Sequence, residues 1–144
     1  MEGKYYSSER SIQLLISLLK QHNIKKIVAS PGATNLSFVA SLQQDSWFEM
    51  YSSVDERSAA YIACGMAAEL GEPVVLTCTG ATASRNYISG LTEAYYRKLP
   101  VLAVTSSQDI SRIGHHIAQV IDRRAIQNDI ALLSEPIPAT DDIT

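Results

Sequence analysis

Hydrophobic positions along this chain follow two patterns, helical spacing and short continuous runs, which alternate from residue 7 to residue 105. Helical spacing predicts helices over residues 7–23, 36–42, 58–70 and 84–96. Short apolar runs predict a buried strand over residues 26–30 and central strands over residues 73–78 and 100–105, and residues 48–51 are predicted to form a further strand. The alternation of strand, turn and helix is typical of βαβ units. We therefore predict an α/β fold with a Rossmann-like, mainly parallel sheet and helices on both faces.

The pattern becomes irregular after Asp109, where only residues 117–126 suggest a further short helix. The last residues, 135–144, contain two prolines and the adjacent pair Asp141 and Asp142, a composition that suits an exposed connector. We therefore predict a single domain over residues 1–134 and a linker over residues 135–144.

Composition removes several classes of function. The chain has 144 residues, of which 46% are hydrophobic, which is typical of one globular domain with a real core. Its net charge is -3 and its basic residues are scattered, which argues against a nucleic-acid surface. No apolar run is long enough to cross a bilayer, and the N-terminus lacks a signal-peptide pattern. Together with two cysteines at no metal-ligand spacing, these features favour a cytoplasmic protein with reduced, buried thiols.

Three strand-to-helix junctions carry the candidate chemistry, and the most informative of them contains Glu56. Ligands of parallel sheets bind at the carboxyl ends of the strands, where Glu56 would stand beside the loops that contain Pro31-Gly32 and Thr79-Gly80. Each feature also has a plain structural interpretation: an acidic residue in a first helical turn, or a strand-ending turn. The Gly80 loop lacks the spacing of a P-loop or a dinucleotide fingerprint. Asn86 would either lie on a helix surface or point into the cleft.

Further candidates lie downstream and on the alanine-rich helix. His115 and His116 are adjacent and make poor joint metal ligands, but one of them could enter the cleft, on one helical face with Gln119. The alternative is an exposed loop. The helix over residues 58–70 has little side-chain bulk, so it could pack closely on a neighbouring helix or on another subunit.

The order and spacing of these motifs resemble a known family. Residues 30–35 (SPGATN), residues 54–60 (VDERSAA), Thr79-Gly80 with Asn86, and residues 99–102 (LPVL) resemble the N-terminal pyrimidine-binding domain of thiamine diphosphate-dependent enzymes. The resemblance covers roughly residues 8–130. It is nearest to the acetolactate synthase-like and pyruvate decarboxylase-like branch, and residues 54–59 also resemble the menaquinone-pathway synthase.

The resemblance implies a site and a reaction. Glu56 would bind a ring nitrogen of the cofactor's aminopyrimidine, and the cofactor would act as the electron sink in decarboxylation or carboligation of a 2-keto acid. The implied cofactor-binding residues are Pro31, Gly32, Glu56, Thr79, Gly80 and Asn86. The implied substrate residues are Gln119, His115 and His116, although the sequence around the two histidines departs from the paired histidines of the simple decarboxylases.

The resemblance also implies partners. The Gly-Asp-Gly motif that holds Mg²⁺ and the diphosphate in this family is absent here, so no residue of this chain is a predicted metal ligand. We expect a diphosphate-binding domain in the same or another chain, with this chain either a fragment or one subunit of a split enzyme, and inactive alone. We also expect a homodimer formed through Ala59, Ala63 and Ala67. The alternative function is a non-catalytic, Rossmann-like module that binds a nucleotide or serves in assembly.

Overall fold

A four-stranded parallel sheet forms the centre of the computed structural model, which describes residues 6–137. Its strands are β1 (Lys26–Ala29), β2 (Glu49–Ser52), β3 (Val74–Cys78) and β4 (Val101–Thr105), in the order β2-β1-β3-β4. In register, Ala29 lies between Ser52 and Thr77, so β1, β2 and β3 end at nearly the same level. The predicted parallel α/β architecture is confirmed, and the three strand ends share one edge of the sheet.

Helices cover both faces of this sheet, as predicted. They are α1 (Arg10–Gln21), α2 (Leu36–Gln43), α3 (Glu56–Leu70), α4 (Ala81–Asn86) and α5 (Ile88–Arg97), with 3-10 turns at Ala33–Asn35 and Ile110–Arg112. Side chains alternate along each strand, so Ile27 and Val75 pack under α1 and α2, whereas Val28 and Leu76 pack under α3. None of the helices described is long and apolar enough to cross a membrane.

The small residues of α3 serve packing within the domain. Ala59 and Ala63 are 0% exposed and Ala67 is 1% exposed, because all three lie against the sheet. On the α5 side, a Cβ added to Gly90 would lie 2.5 Å from the Ala60 Cβ. The prediction that Ala59, Ala63 and Ala67 form a homodimer contact is therefore wrong, because these side chains are already buried within their own domain.

Two predicted elements, a helix and a strand, differ from the elements observed near the β4 edge of the sheet. The helix expected over residues 84–96 is divided at Tyr87, whose backbone N–H bonds the Ser84 carbonyl three residues back and so interrupts the regular helical pattern. The strand β4, expected to be central, lies at the edge of the described sheet, and its Leu102 is 41% exposed. No described strand follows it, because the chain turns away after Thr105.

The helix predicted over residues 117–126 is not formed. The segment consists of turns, and Gln119 has a φ of 65°, a left-handed conformation that a right-handed helix cannot contain. Residues 135–137 are exposed and lie outside any helix or strand, and their assignment to a linker stays a prediction. The rest of the predicted linker, and residues 1–5, lie outside the described residues.

Candidate functional site

The loops that follow β1 and β2 are joined by hydrogen bonds that continue the sheet past its last strand residues. The Ser30 N–H donates to the Thr77 carbonyl (2.8 Å), and the Ser53 N–H donates to the Ala29 carbonyl (2.9 Å). The Ser30 hydroxyl donates to the Ser53 carbonyl (2.7 Å). Because backbone groups rather than flexible side chains make most of these bonds, the loops are held in fixed positions at the sheet edge.

Asn35 organises the Pro31-Gly32 loop rather than capping α2. Its Oδ1 accepts a hydrogen bond from the Gly32 N–H (2.9 Å), and its Nδ2 donates to the Ser30 carbonyl (3.2 Å). No side-chain bond from Asn35 caps the helix that follows. The side chain is buried, 2% exposed, so its amide is fixed within the loop. The sequence could have suggested this role, since Asn and Asp often bond the backbone of their own turn.

Glycines bring the loop after β1 and the loop after β3 into direct contact. A Cβ on Gly32 would lie 2.2 Å from Thr79 Cγ2, so a larger residue would have to displace the Thr79 side chain. A Cβ on Gly80 would lie 3.1 Å from the Gln119 carbonyl oxygen, which is backbone and cannot yield easily. These close approaches explain the two glycines and define the walls of a cleft.

Glu56 is the first residue of α3 and enters this cleft. The preceding Asp55 caps the helix by accepting from the Ser58 N–H (2.7 Å), and hydrogen bonding to Ser58 lowers the pKa of the Asp55 carboxyl. Capping is thus carried out by Asp55, which leaves the half-buried Glu56 carboxylate for another role. Two adjacent acidic residues are therefore placed differently: Asp55 caps the helix, and Glu56 lines the pocket.

The structure brings most of the predicted site residues to one pocket of about 380 Å³. The predicted residues that line it are Gly32, Glu56, Thr79, Gly80, Asn86 and Gln119. Ala33, Thr34, Thr82 and Ala83 also line it and were not predicted. Among all these lining residues Glu56 is the only ionisable one, so a carboxylate faces a wall that is otherwise neutral and rich in hydroxyl and amide groups.

Gln119 reaches the pocket from the irregular segment. Its Oε1 accepts from both the backbone N–H and the hydroxyl of Thr82 at 3.3 Å. Further along, the Arg123 guanidinium donates to Thr105 Oγ1 (3.0 Å) and to the Ser106 carbonyl (2.8 Å). Burial lowers the pKa of Arg123. Arg123 was not singled out in the sequence, and it ties this segment to the end of β4.

Three predicted residues lie elsewhere. Pro31 is exposed and lines a neighbouring groove, together with Gly32 and residues of α2. His115 and His116 are exposed and do not line the pocket. Their proposed contact with substrate therefore stays a prediction.

A buried polar layer lies beneath the pocket. The Cys78 side chain is 0% exposed, and burial raises the pKa of its thiol to about 11. Beside it, burial also raises the pKa of the fully buried Tyr87 hydroxyl. Neither residue is suited to nucleophilic chemistry near neutral pH, since both hold their protons firmly.

The geometry suits a flat, partly apolar ring that offers a nitrogen to a carboxylate. Ala33 and Ala83 give the pocket apolar lining, and Glu56 supplies one carboxyl group at the N-terminus of α3. By contrast, residues 6–137 contain no group of three or more His, Cys, Asp or Glu side chains that could hold a metal ion.

Comparison with known proteins decides the family. The model of the family described as "Thiamine pyrophosphate enzyme, N-terminal TPP binding domain" matches residues 10–126. The chain belongs to this family. The resemblance noted in the sequence is thereby confirmed.

Curated relatives share sequence with most of this chain. The 2-succinyl-5-enolpyruvyl-6-hydroxy-3-cyclohexene-1-carboxylate synthase of Porphyromonas gingivalis is 38% identical over 116 residues, covering 81% of this chain and 20% of that protein. The synthase of the same name from Bacteroides thetaiotaomicron is 32% identical over 133 residues, covering 92% of this chain and 24% of that protein. The chain thus spans about a fifth to a quarter of the length of these relatives.

Solved structures agree with the fold. A benzoylformate decarboxylase from Polynucleobacter necessarius matches 76% of this chain and 20% of its own, with a TM-score of 0.68 and 22% identity. A thiamine diphosphate-dependent 4-hydroxybenzoylformate decarboxylase from Rhodococcus jostii RHA1 matches 78% of this chain and 21% of its own, with a TM-score of 0.70 and 20% identity. Because the sequence identities are low, these structural matches show that the fold is shared and nothing further.

Proposed function

We propose that this chain is the pyrimidine-binding domain of a thiamine diphosphate-dependent 2-keto acid decarboxylase or carboligase, and that Glu56 activates the cofactor's aminopyrimidine. The observation that carries this proposal is the position of Glu56 as the only ionisable residue lining the pocket between the Gly32 and Gly80 loops. Family membership supports the cofactor. The synthases among the relatives favour the carboligase alternative.

Glu56 would act as a proton partner rather than a nucleophile. When bound, the cofactor supplies an electron sink for cleavage of the bond next to a keto group. The Glu56 carboxylate would hold a proton at the pyrimidine ring nitrogen, a task that an amide cannot perform. The hydroxyl and amide side chains that line the pocket, such as Thr79 and Asn86, would hold the ring in place beside Glu56.

Neutral polar side chains would orient the reactants. Thr79 and Asn86 would contact the cofactor, and Gln119, fixed by its two bonds from Thr82, would contact the substrate. Pro31 would border the cofactor from the adjoining groove. We retain His115 and His116 as predicted substrate residues, which requires another part of the assembled protein to close over them.

The complete site would need a partner domain. We assign Mg²⁺ and the diphosphate to a diphosphate-binding domain in the same or another polypeptide, because the described residues offer no metal-binding group. We also propose a homodimer, with its contact moved from the buried alanines to the outer face of α3, where Tyr61 is 46% and Ile62 is 44% exposed. A cytoplasmic location remains part of this proposal.

Calorimetric titration of the complete protein with thiamine diphosphate and Mg²⁺, followed by turnover of 2-keto acids, tests the proposal. We expect saturable binding, and we expect Glu56→Gln to lose at least about 100-fold in turnover, the scale of a lost general acid–base group. Glu69→Gln, on the exposed side of the same helix, is the matched control. If the protein bound NAD⁺ or ADP and did not bind thiamine diphosphate, the proposed enzyme function would be rejected in favour of the nucleotide-binding module.

A further inference from the structure

Ser106, the residue after β4, uses all of its polar groups and connects the pocket wall to the end of the sheet. Its N–H donates to the Cys78 carbonyl at the end of β3 (3.1 Å), and its own carbonyl accepts from the Arg123 guanidinium (2.8 Å). The Ser106 hydroxyl lies 2.6 Å from Thr34 Oγ1 and 3.3 Å from the Cys78 carbonyl oxygen. Thr34 belongs to the 3-10 turn after β1 and lines the pocket.

The contacts of Ser106 decide which of the two hydroxyls gives its proton to the other. A carbonyl oxygen can only accept, so the single proton of the Ser106 hydroxyl is donated to the Cys78 carbonyl. The bond between the two hydroxyls is then donated by Thr34. No second partner of the Thr34 hydroxyl occurs among residues 6–137. With its proton held by Ser106, the Thr34 oxygen has only lone pairs left for a ligand.

The direction of this bond selects the kind of ligand group that Thr34 can bind. A hydroxyl or amino group can donate to the Thr34 oxygen, whereas a carboxylate or keto oxygen has no proton to offer it. The residues that line the pocket include no cation that could attract an anionic group to this place. The wall at Thr34 therefore suits a hydrogen-bond donor.

We propose that Ser106 is a positioning residue, which holds the Thr34 hydroxyl as a hydrogen-bond acceptor for a donor group of the ligand. Two sources offer such a donor: the hydroxyl of a hydroxylated 2-keto acid, and the amino group of the cofactor's pyrimidine. The choice of ligand rests on the proposed function. The bond between Thr34 and Ser106 concerns this chain alone, and it is measurable without any cofactor.

Amide hydrogen exchange in the complete protein without cofactor tests this bond. Ser106→Ala removes the hydroxyl but keeps the backbone bonds, and it should accelerate exchange over residues 32–36 about fivefold, the scale of one lost neutral hydrogen bond. Thr34→Val should do the same, and the double variant should add nothing further. Ser107→Ala is the matched control, because its exposed hydroxyl bonds the carbonyl of the following residue. Unchanged exchange in Ser106→Ala, or fully additive effects in the double variant, would overturn the proposal.

Turnover and binding in the loaded enzyme identify the donor. If the donor belongs to the substrate, the unmodified enzyme should prefer hydroxypyruvate to pyruvate. Thr34→Val and Ser106→Ala should each lower that ratio of kcat/KM values about fivefold, whereas Thr34→Ser should keep it. If the donor belongs to the cofactor, Thr34→Val and Ser106→Ala should instead weaken calorimetric binding of thiamine diphosphate with Mg²⁺ about fivefold.

Two further results separate failure of this inference from failure of the proposed function. No preference for hydroxypyruvate, together with unchanged cofactor affinity in Thr34→Val, would overturn the assignment of Thr34 as an acceptor for the ligand. An unmodified protein that binds no thiamine diphosphate would refute the proposed function and leave the exchange result intact.

Discussion

The pocket is built by two stretches of chain that differ in almost every structural respect. Residues 26–105 form regular strands and helices, and every residue of β3 is buried. Residues 106–137 contain turns and one short 3-10 helix, and Leu132 is 94% exposed, yet they supply Gln119 to the pocket. One site thus combines a packed wall with an irregular one.

The difference lies in how each stretch is held. The first is fixed by the sheet ladder and by close contacts between small residues, such as Gly90 with Ala60. The second is tied by side-chain hydrogen bonds of Gln119 and Arg123, and by the bond from the Ser134 hydroxyl to the Arg123 carbonyl (2.8 Å). Segments with few buried contacts open at lower free energy, so the irregular wall is the adjustable part of the site.

Alkaline pH should weaken the packed stretch first. Because burial raises the Cys78 pKa from 9.0 to about 11, the folded state holds this proton where the unfolded state releases it. The stability contributed by this thiol should therefore be fully present below about pH 9 and be lost between pH 9 and 11, a loss of about 2 to 3 kcal/mol. Urea unfolding across this range measures the effect, and Cys78→Ala should show a shallower decline. Parallel curves for both proteins would show that the thiol is not responsible.

Crowding the α3–α5 contact should cost nearly as much. Gly90→Ala places a methyl group 2.5 Å from the Ala60 Cβ and 3.1 Å from backbone of the same residue, so we expect a loss of about 1 to 3 kcal/mol. Gly65→Ala is the matched control on α3, since a Cβ there meets nothing within 4 Å. This substitution should raise the free energy of unfolding by about 0.5 to 1 kcal/mol. Equal melting temperatures for the two variants would contradict the packing described here.

Loss of the Arg123 anchor should act locally. Arg123→Met removes the bonds to Thr105 and Ser106, so the free energy of local opening over residues 106–137 should fall by about 1 to 2 kcal/mol. Amide exchange should rise in this segment and stay constant in β1 and β3. Arg124→Met, which removes an exposed pair with Asp122, serves as control. Exchange that rises equally in the strands would show that the two stretches unfold together.

Gln119→Ala should have the smallest effect on stability and a visible effect on function. Its side chain is exposed, so the free energy of unfolding should change by less than about 0.5 kcal/mol. If Gln119 orients the substrate, KM for the 2-keto acid should rise several-fold in the complete enzyme. Gln127→Ala, an exposed change in the same segment, should leave KM unaltered. A KM that Gln119→Ala also leaves unaltered would remove Gln119 from the site.

The sequence predicted the packed stretch well for physical reasons. The four predicted strands agree with the observed ones to within one residue at each end, and the reason is plainest for β3, which is buried along its whole length and so has no polar alternation. The meeting of the Gly32, Glu56 and Gly80 loops followed from one rule, that parallel strands end at a common edge.

The failures share a different cause, since tertiary contacts decided each of them. Apolar spacing over residues 117–126 suggested a helix, but Gln119 and Arg123 are held by bonds to distant parts of the chain. The small residues of α3 predicted close packing without naming the partner, which is the domain's own sheet and α5. The sequence also does not indicate that the buried Tyr87 hydroxyl lacks a hydrogen-bond partner.

Proton exchange at the thiazolium carbon of bound thiamine diphosphate is the most direct test of the central claim, that Glu56 activates the cofactor in this pocket. The complete protein, loaded with cofactor and Mg²⁺, is transferred to deuterated water and quenched at intervals for NMR. We predict that Glu56→Gln slows this exchange at least about 100-fold while Glu69→Gln does not, as removal of an acid–base partner requires. Equal exchange rates in Glu56→Gln and the unmodified protein, with the cofactor bound in both, would contradict the account.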